Sequence, residues 1–406
     1  MVASHLSTKE SLIMAAPKKS TSKHVEFAES VDRDELAVLL QKELNKANKS
    51  GEKVSYFLDE EDDPTEVTEW VSTGSTLLDL AVSNRPHGGL PAGKFVELSG
   101  AETTGKSLFC AQLIAETQKQ GGLSVFFDSE FSVDKNFWAA LGVNVKNVNY
   151  VPFVTLEELF TKMELCIGSF RKADKDRLLT IFVDSIAQAS IETEMESEHG
   201  VTGYNTGKSM IIGKALRKIT GLISKQRVLV VFTNQVRYNM NAGPFGEKWI
   251  VPGGKALPHA SSVRIRFSNI GKLKNPTTKE VYGMECQAQV IKNRCGPNYR
   301  MAAFDIFYDS GVQDRASWID YMKLHGIISG DGRGYEFKRK DGTKVEFKPA
   351  EFPKLVDGDL ALKEEIYQSI CDHYIMKYKV PNSQVVEVER TNTENDDITD
   401  KSVKED

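Results

Sequence analysis

The chain has 406 residues, with 52 Lys plus Arg against 57 Asp plus Glu and a formal net charge of −5. Its length accommodates two or three domains with sizeable cores, and 40% hydrophobic with 27% charged residues excludes a wholly disordered chain. The acidic balance argues against a nucleic-acid binder unless the mean conceals an uneven distribution.

No run of 18 apolar residues occurs, so no membrane-spanning helix is expected. Leu12-Ile13-Met14-Ala15-Ala16 is too short for a secretory core, and the first arginine is Arg33, which does not fit a transit peptide. Residues 1–13 are open as native sequence or as an addition before a start at Met14. Cys110, Cys166, Cys286, Cys295 and Cys371 show no CxxC spacing, and the odd count fits a reducing cytoplasm.

In chain order, residues 1–30 are rich in Ser, Thr and Lys and read as disordered. Leu36, Leu40 and Leu44 then recur at helical spacing, with Leu39 and Ala47 widening the stripe. Asp32 or Asp34 can cap that helix. So short a helix needs a surface to pack on, in its own domain or on a neighbouring subunit. Residues 54–58 read as a short strand, followed by an acidic run at 59–63.

From residue 67 strands and helices alternate. Strands are expected at 95–98, 124–130, 178–184 and 228–233, each a nearly continuous apolar run suited to parallel strands covered on both faces. Helices are expected at 107–119, 156–171 and 209–224. This pattern predicts an α/β doubly wound, mostly parallel sheet. Strands at 263–267, 286–294 and 301–308 are expected to extend it antiparallel. A small α+β segment spans 313–384, and a polar tail spans 385–406.

The strongest chemical signal is Gly100-Ala101-Glu102-Thr103-Thr104-Gly105-Lys106-Ser107, followed by Leu108. It matches a P-loop and lies between a predicted strand and a predicted helix. Glycines let backbone N–H groups close around phosphate oxygens, and the helix N-terminus favours negative charge. Lys106 is expected to reach the β- and γ-phosphates of ATP, and Ser107 to hold Mg²⁺. Asp184 ends an apolar strand where a second metal carboxylate belongs. Glu130, at the end of the strand after the P-loop helix, is the candidate to orient or deprotonate water.

Seven ordered motifs resemble the RecA family of homologous-recombination proteins. They are Trp70-Val71-Ser72-Thr73-Gly74-Ser75-Thr76-Leu77-Leu78-Asp79 with Gly88-Gly89-Leu90-Pro91-Ala92-Gly93, the P-loop, and Phe127-Asp128-Ser129-Glu130. Val183-Asp184-Ser185, Phe232-Thr233-Asn234-Gln235-Val236-Arg237, Gly253-Gly254-Lys255-Ala256-Leu257 and Val290-Ile291-Lys292-Asn293-Arg294 follow. The resemblance spans about residues 32–312 and is looser beyond. It implies a RecA-like P-loop core at 67–312, preceded by a subunit-docking helix and strand at 31–66. It implies Glu130 as catalytic base, Gln235 as γ-phosphate sensor, and Asp134, Phe137 and Tyr308 around adenine. Lys292 and Arg294 match two basic residues that reach ATP across a subunit interface, where a cation supplied in trans stabilises the transferring phosphoryl group. The implied protein is a DNA-dependent ATPase of the bacterial or phage-infected cytoplasm. It would form helical filaments on single-stranded DNA, pair them with duplex DNA, and work with single-strand-binding and mediator proteins.

Two long connections, 191–208 and 237–254, are expected to be DNA-binding loops. Candidate DNA residues are Lys208, Lys214 and Arg217 on the helix between them, then Arg237, Asn239, Phe245, Lys248, Trp249, Gly253, Gly254 and Lys255, and Arg264 on the next strand. Phe245 and Trp249 can stack on bases. The second loop departs from the family, with Ile250-Val251-Pro252 before the glycines and Pro258-His259 after Leu257. A RecA-fold hexameric motor and a regulatory paralogue without strand exchange share the P-loop; Asn234-Gln235, Lys292/Arg294 and the N-terminal helix favour the filament.

The charge is uneven. Residues 201–300 hold 17 Lys plus Arg and only Glu247, Glu280 and Glu285, a net of +14. Residues 385–406 hold eight acids and three bases, a net of −5. A basic segment around the loops suits phosphate neutralisation, and the acidic tail is expected to compete with DNA for it.

Overall fold

The structure is a computed structural model that describes residues 33–49, 53–58, 60, 66–195, 204–224, 226–238, 249–250 and 254–378. It divides into two compact units, Met1–Glu66 and Val67–Asp406. The expected segments at 1–30 and 385–406 lie outside the described residues.

In the first unit, helix α1 (Glu35–Ala47) starts at Asp34, whose carboxylate accepts from the N–H groups of Leu36 and Ala37. None of its residues is buried, and Leu36 is 75% exposed. The strand expected at 54–58 does not form. Asn45 Oδ1 instead accepts from Val54 N at 2.8 Å and Ser55 N at 2.9 Å, and its Nδ2 donates to Ser55 O at 3.1 Å. A helix side chain thus satisfies backbone groups that a strand neighbour would otherwise take.

The second unit is built on a nine-stranded sheet. Its strands are β1 (Phe95–Gly100), β2 (Leu123–Asp128), β3 (Val148–Pro152), β4 (Leu179–Asp184), β5 (Val228–Gln235), β6 (Val263–Lys274), β7 (Val281–Asn293), β8 (Met301–Phe307) and β9 (Gly311–Val312). The spatial order is β9-β8-β7-β6-β1-β5-β4-β2-β3. From β6 to β3 every neighbouring pair is parallel, and β7, β8 and β9 add on antiparallel. The strand at 263 therefore differs from expectation, because it lies parallel to β1. The connection from β5 contains a short helix and returns the chain to the same end of the sheet, as a parallel crossover requires.

Alternate side chains on these strands feed two apolar layers. Val96, Leu98, Phe182 and Val231 join α2 (Thr76–Ser83) and α3 (Lys106–Lys119) on one face. Phe95, Ile181, Val230 and Phe232 join α5 (Leu156–Ala173) and α6 (Tyr204–Ile223) on the other, after the short α4 (Lys135–Ala140). Helix α7 (Ala256–Ala260) adds Leu257 to that second layer.

The C-terminal segment has helices α8 (Asp314–Leu324), α9 (Phe352–Gly358) and α10 (Leu360–Tyr374) and a three-stranded antiparallel sheet. It shares a core with α2 and α3, since Trp318, Phe337, Phe352 and Ile366 belong to the same buried cluster. Polar ties reinforce the junction. Asp314 Oδ1 accepts from Thr76 N at 2.6 Å, and Tyr367 Oη from His87 N at 2.6 Å. Among the described residues, no helix is long and apolar enough to cross a membrane.

Candidate nucleotide and DNA site

The parallel strands β1, β2, β4 and β5 all end on one side of the sheet, where α/β proteins place their ligands. Gly100 closes β1. A Cβ there would sit 2.6 Å from Thr104 Oγ1 and 2.7 Å from Phe267 O, so the loop leaves no room for a side chain. Gly100→Ala is accordingly expected to lose about 1–3 kcal/mol of stability through overpacking, read as a lowered midpoint in thermal denaturation. Thr103 (φ 57°) and Gly105 (φ 87°) are left-handed, and α3 starts immediately afterwards. Such alternation turns successive N–H groups into a concave anion site. Ala101 and Glu102 are exposed, and Leu108 anchors the helix in the core. Thr104 Oγ1 donates to Ala101 O at 2.9 Å.

Lys106 Nζ lies across the loop, donating to Gly100 O at 3.1 Å and Ala101 O at 2.6 Å. Burial pushes its pKa down, and the nearby Asp184 carboxylate opposes that shift. Ser107 Oγ donates to Asp184 Oδ2 at 2.6 Å, and Thr233 Oγ1 donates to Asp184 Oδ1 at 2.5 Å. Thus Ser107 and Asp184, 77 positions apart in sequence, share one place. A hydroxyl and a carboxylate side by side are hard oxygen ligands that suit Mg²⁺.

Glu130 lies just past the end of β2, which stops at Asp128 rather than running to residue 130. Asp128 holds the turn. Its carboxylate accepts from Glu130 N at 2.7 Å, Phe131 N at 3.1 Å and Ser132 N at 3.1 Å. Ser185 Oγ reaches Glu130 Oε1 at 3.4 Å. Burial first, then the Asp184 charge, raise the Glu130 pKa, as suits a base that must take up a proton. The roles of Asp128, Thr233 and Ser185 were not read from the sequence. Their only signal was membership in the motifs around Glu130, Asp184 and Gln235.

Gln235 ends β5 in register with Gly100, one strand from the P-loop. Asp134 caps α4, accepting from Asn136 N and Phe137 N. Phe137 packs half-buried on the core beside that cap. Tyr308 follows β8 with 42% exposure and donates its N–H to Tyr282 O. Lys292 Nζ donates to Pro258 O at 2.8 Å and His259 O at 3.0 Å, and an Arg294 N–H reaches His259 O at 3.4 Å. Both cations thus hold carbonyls of α7. Burial, reinforced by Arg294 and Arg264, brings Lys292 down to about 8.

Of the candidate DNA residues, Lys214 and Arg217 are exposed on α6, while Lys208 pairs with Glu194 at 3.0 Å. Arg237 and Ile250 are in register where the two ends of the second loop pair, and Trp249 there is 36% exposed. Gly254 (φ 77°) and Lys255 lead into α7, both exposed. Asn239, Phe245, Lys248 and Gly253 lie outside the described residues. Arg264 is placed elsewhere than expected. Its side chain is mostly buried and its Nε donates to the fully buried Glu97, so an internal ion pair occupies it rather than an exposed DNA face.

Comparison with known proteins supplies the chain's family and relatives. The RecA N-terminal domain family model matches residues 39–313. Protein RecA of Leptospira biflexa serovar Patoc is 34% identical over 275 residues, covering 68% of this chain and 67% of the relative. Protein RecA of Marinobacter nauticus is 33% identical over 316 residues, 78% of this chain and 86% of the relative. Protein RecA of Heliobacterium modesticaldum is 32% identical over 299 residues, 74% and 83% respectively. By that match over residues 39–313 and these relatives, the chain, whose P-loop, Asp184, Glu130 and Gln235 gather at one end of the parallel strands, belongs to the RecA family.

Proposed function

We propose that this protein is an ATP-dependent DNA recombinase that forms helical filaments on single-stranded DNA and carries out pairing and strand exchange with duplex DNA. The observation that carries the reading is the convergence of Lys106, Ser107, Asp184 and Glu130 beside Gln235. Backbone N–H groups of 100–105 and Lys106 would bind the ATP phosphates, with Asp134, Phe137 and Tyr308 around the base. Ser107 and Asp184 would hold Mg²⁺, which when bound neutralises charge on the phosphoryl oxygens. Glu130 would orient the attacking water and take its proton. Lys292 and Arg294 would reach the nucleotide of the adjacent subunit, so turnover requires an assembled filament.

The γ-phosphate contact of Gln235 would order the segment 237–254 and raise DNA affinity, an order–disorder switch biased by phosphate. Lys214, Arg217, Arg237, Trp249 and Lys255 would contact the strand, and such binding weakens with salt. The uncovered leucine stripe of α1 favours filament assembly, because that face needs an apolar surface on a neighbour. All five cysteines are free, in keeping with work in the cytoplasm. Single-strand-binding and mediator proteins would be its partners there.

Lys106→Ala is expected to lose ATP binding or turnover and, with it, strand exchange. The check is nucleotide titration beside an exchange assay with homologous single-stranded and duplex DNA. Parental exchange by the variant would defeat the proposal. Parent protein that hydrolyses ATP on DNA without exchanging strands would point to a motor or a regulatory paralogue.

A further inference from the structure

Glu97 lies in β1 and is fully buried, where an ionised carboxylate is costly unless paired. Both oxygens are engaged. Oε1 accepts from Asn234 Nδ2 at 3.2 Å, and Oε2 accepts from Arg264 Nε at 2.5 Å. Asn234 immediately precedes Gln235 on β5. Arg264 is in register with Glu97 across β6–β1 and with Lys292 across β6–β7. Paired positions on neighbouring strands share a sheet face. Glu97, Arg264 and Lys292 therefore form one polar row, and Asn234, two residues along β5 from the register partner of Glu97, joins it through its hydrogen bond, so the row reaches four adjacent strands. Phe232, in register with Glu97, packs in the layer to which α7 contributes Leu257, so the row lies on that face. Lys292 ends the row on carbonyls of α7, the helix that follows the segment 237–254.

Asn234 Oδ1 is buried with no hydrogen-bond partner among the described residues. An unsatisfied buried acceptor is costly, so a second arrangement that satisfies it gains free energy. A network with two discrete arrangements is what carries coupling between sites.

We propose that Glu97 is a positioning residue that couples the γ-phosphate sensor Gln235 to the Lys292/Arg294 pair and to the helix ending the second DNA loop. This rests on the recombinase reading. Movement of β5 toward the phosphate acts on Asn234, and the buried Glu97–Arg264 pair relays it to β6 and β7. Glu97 also favours the charged form of Lys292, against burial and the neighbouring Arg294 and Arg264. The charged groups facing Lys292 are Arg294 just past the end of β7, Arg264 on β6 and Glu97 on β1. Helix α7 offers it carbonyls, His259 being the titratable residue of that helix.

The test compares full-length parent, Glu97→Gln, Gln235→Ala and Lys292→Ala. Each is measured for affinity toward a non-hydrolysable ATP analogue, for single-stranded DNA affinity with and without the analogue, and for DNA-stimulated turnover against pH. Glu97→Gln keeps the side chain's shape and removes its charge. Its analogue affinity should stay parental, while the analogue's enhancement of DNA binding falls about two- to thirtyfold, the range for residues that touch neither ligand. Its alkaline limb of turnover should move to lower pH, because Lys292, already at about 8, loses the anion that favours its charged form. If unpaired Arg264 unfolds the single variant, Glu97→Gln/Arg264→Gln removes both charges, and its DNA enhancement is read instead. A folded variant with parental enhancement and, for Glu97→Gln, a parental pH profile overturns the coupling role. If Gln235→Ala and Lys292→Ala are parental too, the recombinase reading falls with it; if those two lose function alone, only the role of Glu97 falls.

Discussion

Replacing Glu130 with alanine is expected to reduce DNA-stimulated ATP turnover by about 10²–10⁴-fold, the usual contribution of a positioned base. Binding should survive. Lys106, Ser107 and Asp184 form their own contacts, and the side-chain hydrogen bond of Glu130 is to Ser185 rather than to any of these three. Titration with an ATP analogue and with single-stranded DNA should therefore give parental affinities, and rapid residual hydrolysis would remove Glu130 from its role. The pH profile supplies a second check. Burial and the Asp184 charge raise the Glu130 pKa above its ordinary 4.5, and the base works only when ionised. Turnover should thus fall as pH drops through that raised value, and the residual activity of the variant should lack this acid limb.

Deleting residues 1–60 is expected to abolish filaments while the rest of the chain stays folded. The described part of this segment belongs to a compact unit separate from Val67–Asp406. No residue of α1 is buried, although Leu36, Leu39, Leu40 and Leu44 form an apolar stripe. A helix of 13 residues gains little stability alone, so its stripe is most valuable against another subunit. Negative-stain microscopy with an ATP analogue and single-stranded DNA reads the outcome, and circular dichroism verifies the fold. Long filaments from the truncated chain would refute assembly through this segment.

Much of the site was legible because its parts are local. The P-loop is one contiguous stretch whose glycines and flanking strand and helix all serve one turn. Asp184 and Gln235 sit at the ends of apolar strands, and parallel strands place such ends together. What stayed hidden depended on partners distant in sequence. Residues 54–58 have a strand-like pattern, but a strand needs a neighbour, and Asn45 supplied the hydrogen bonds instead. Arg264 belongs to a segment with net charge +14, yet its register with Glu97 turns it into an internal ion pair. The direction of β6 depended on the crossover through α7, which strand-like composition does not encode.

The sequence alone thus determined the alternation of buried strands and helices, the phosphate loop, and the strand-end carboxylates, because periodicity and backbone freedom act over a few neighbouring residues. It also determined the uneven charge behind the acidic mean. Only the tertiary structure decided which charges face outward and which neutralise each other inside, and it alone joined Glu97 to both Asn234 and Arg264. The physical reason is that burying an ion is tolerable only beside a partner, and sheet register chooses that partner across more than a hundred residues of chain.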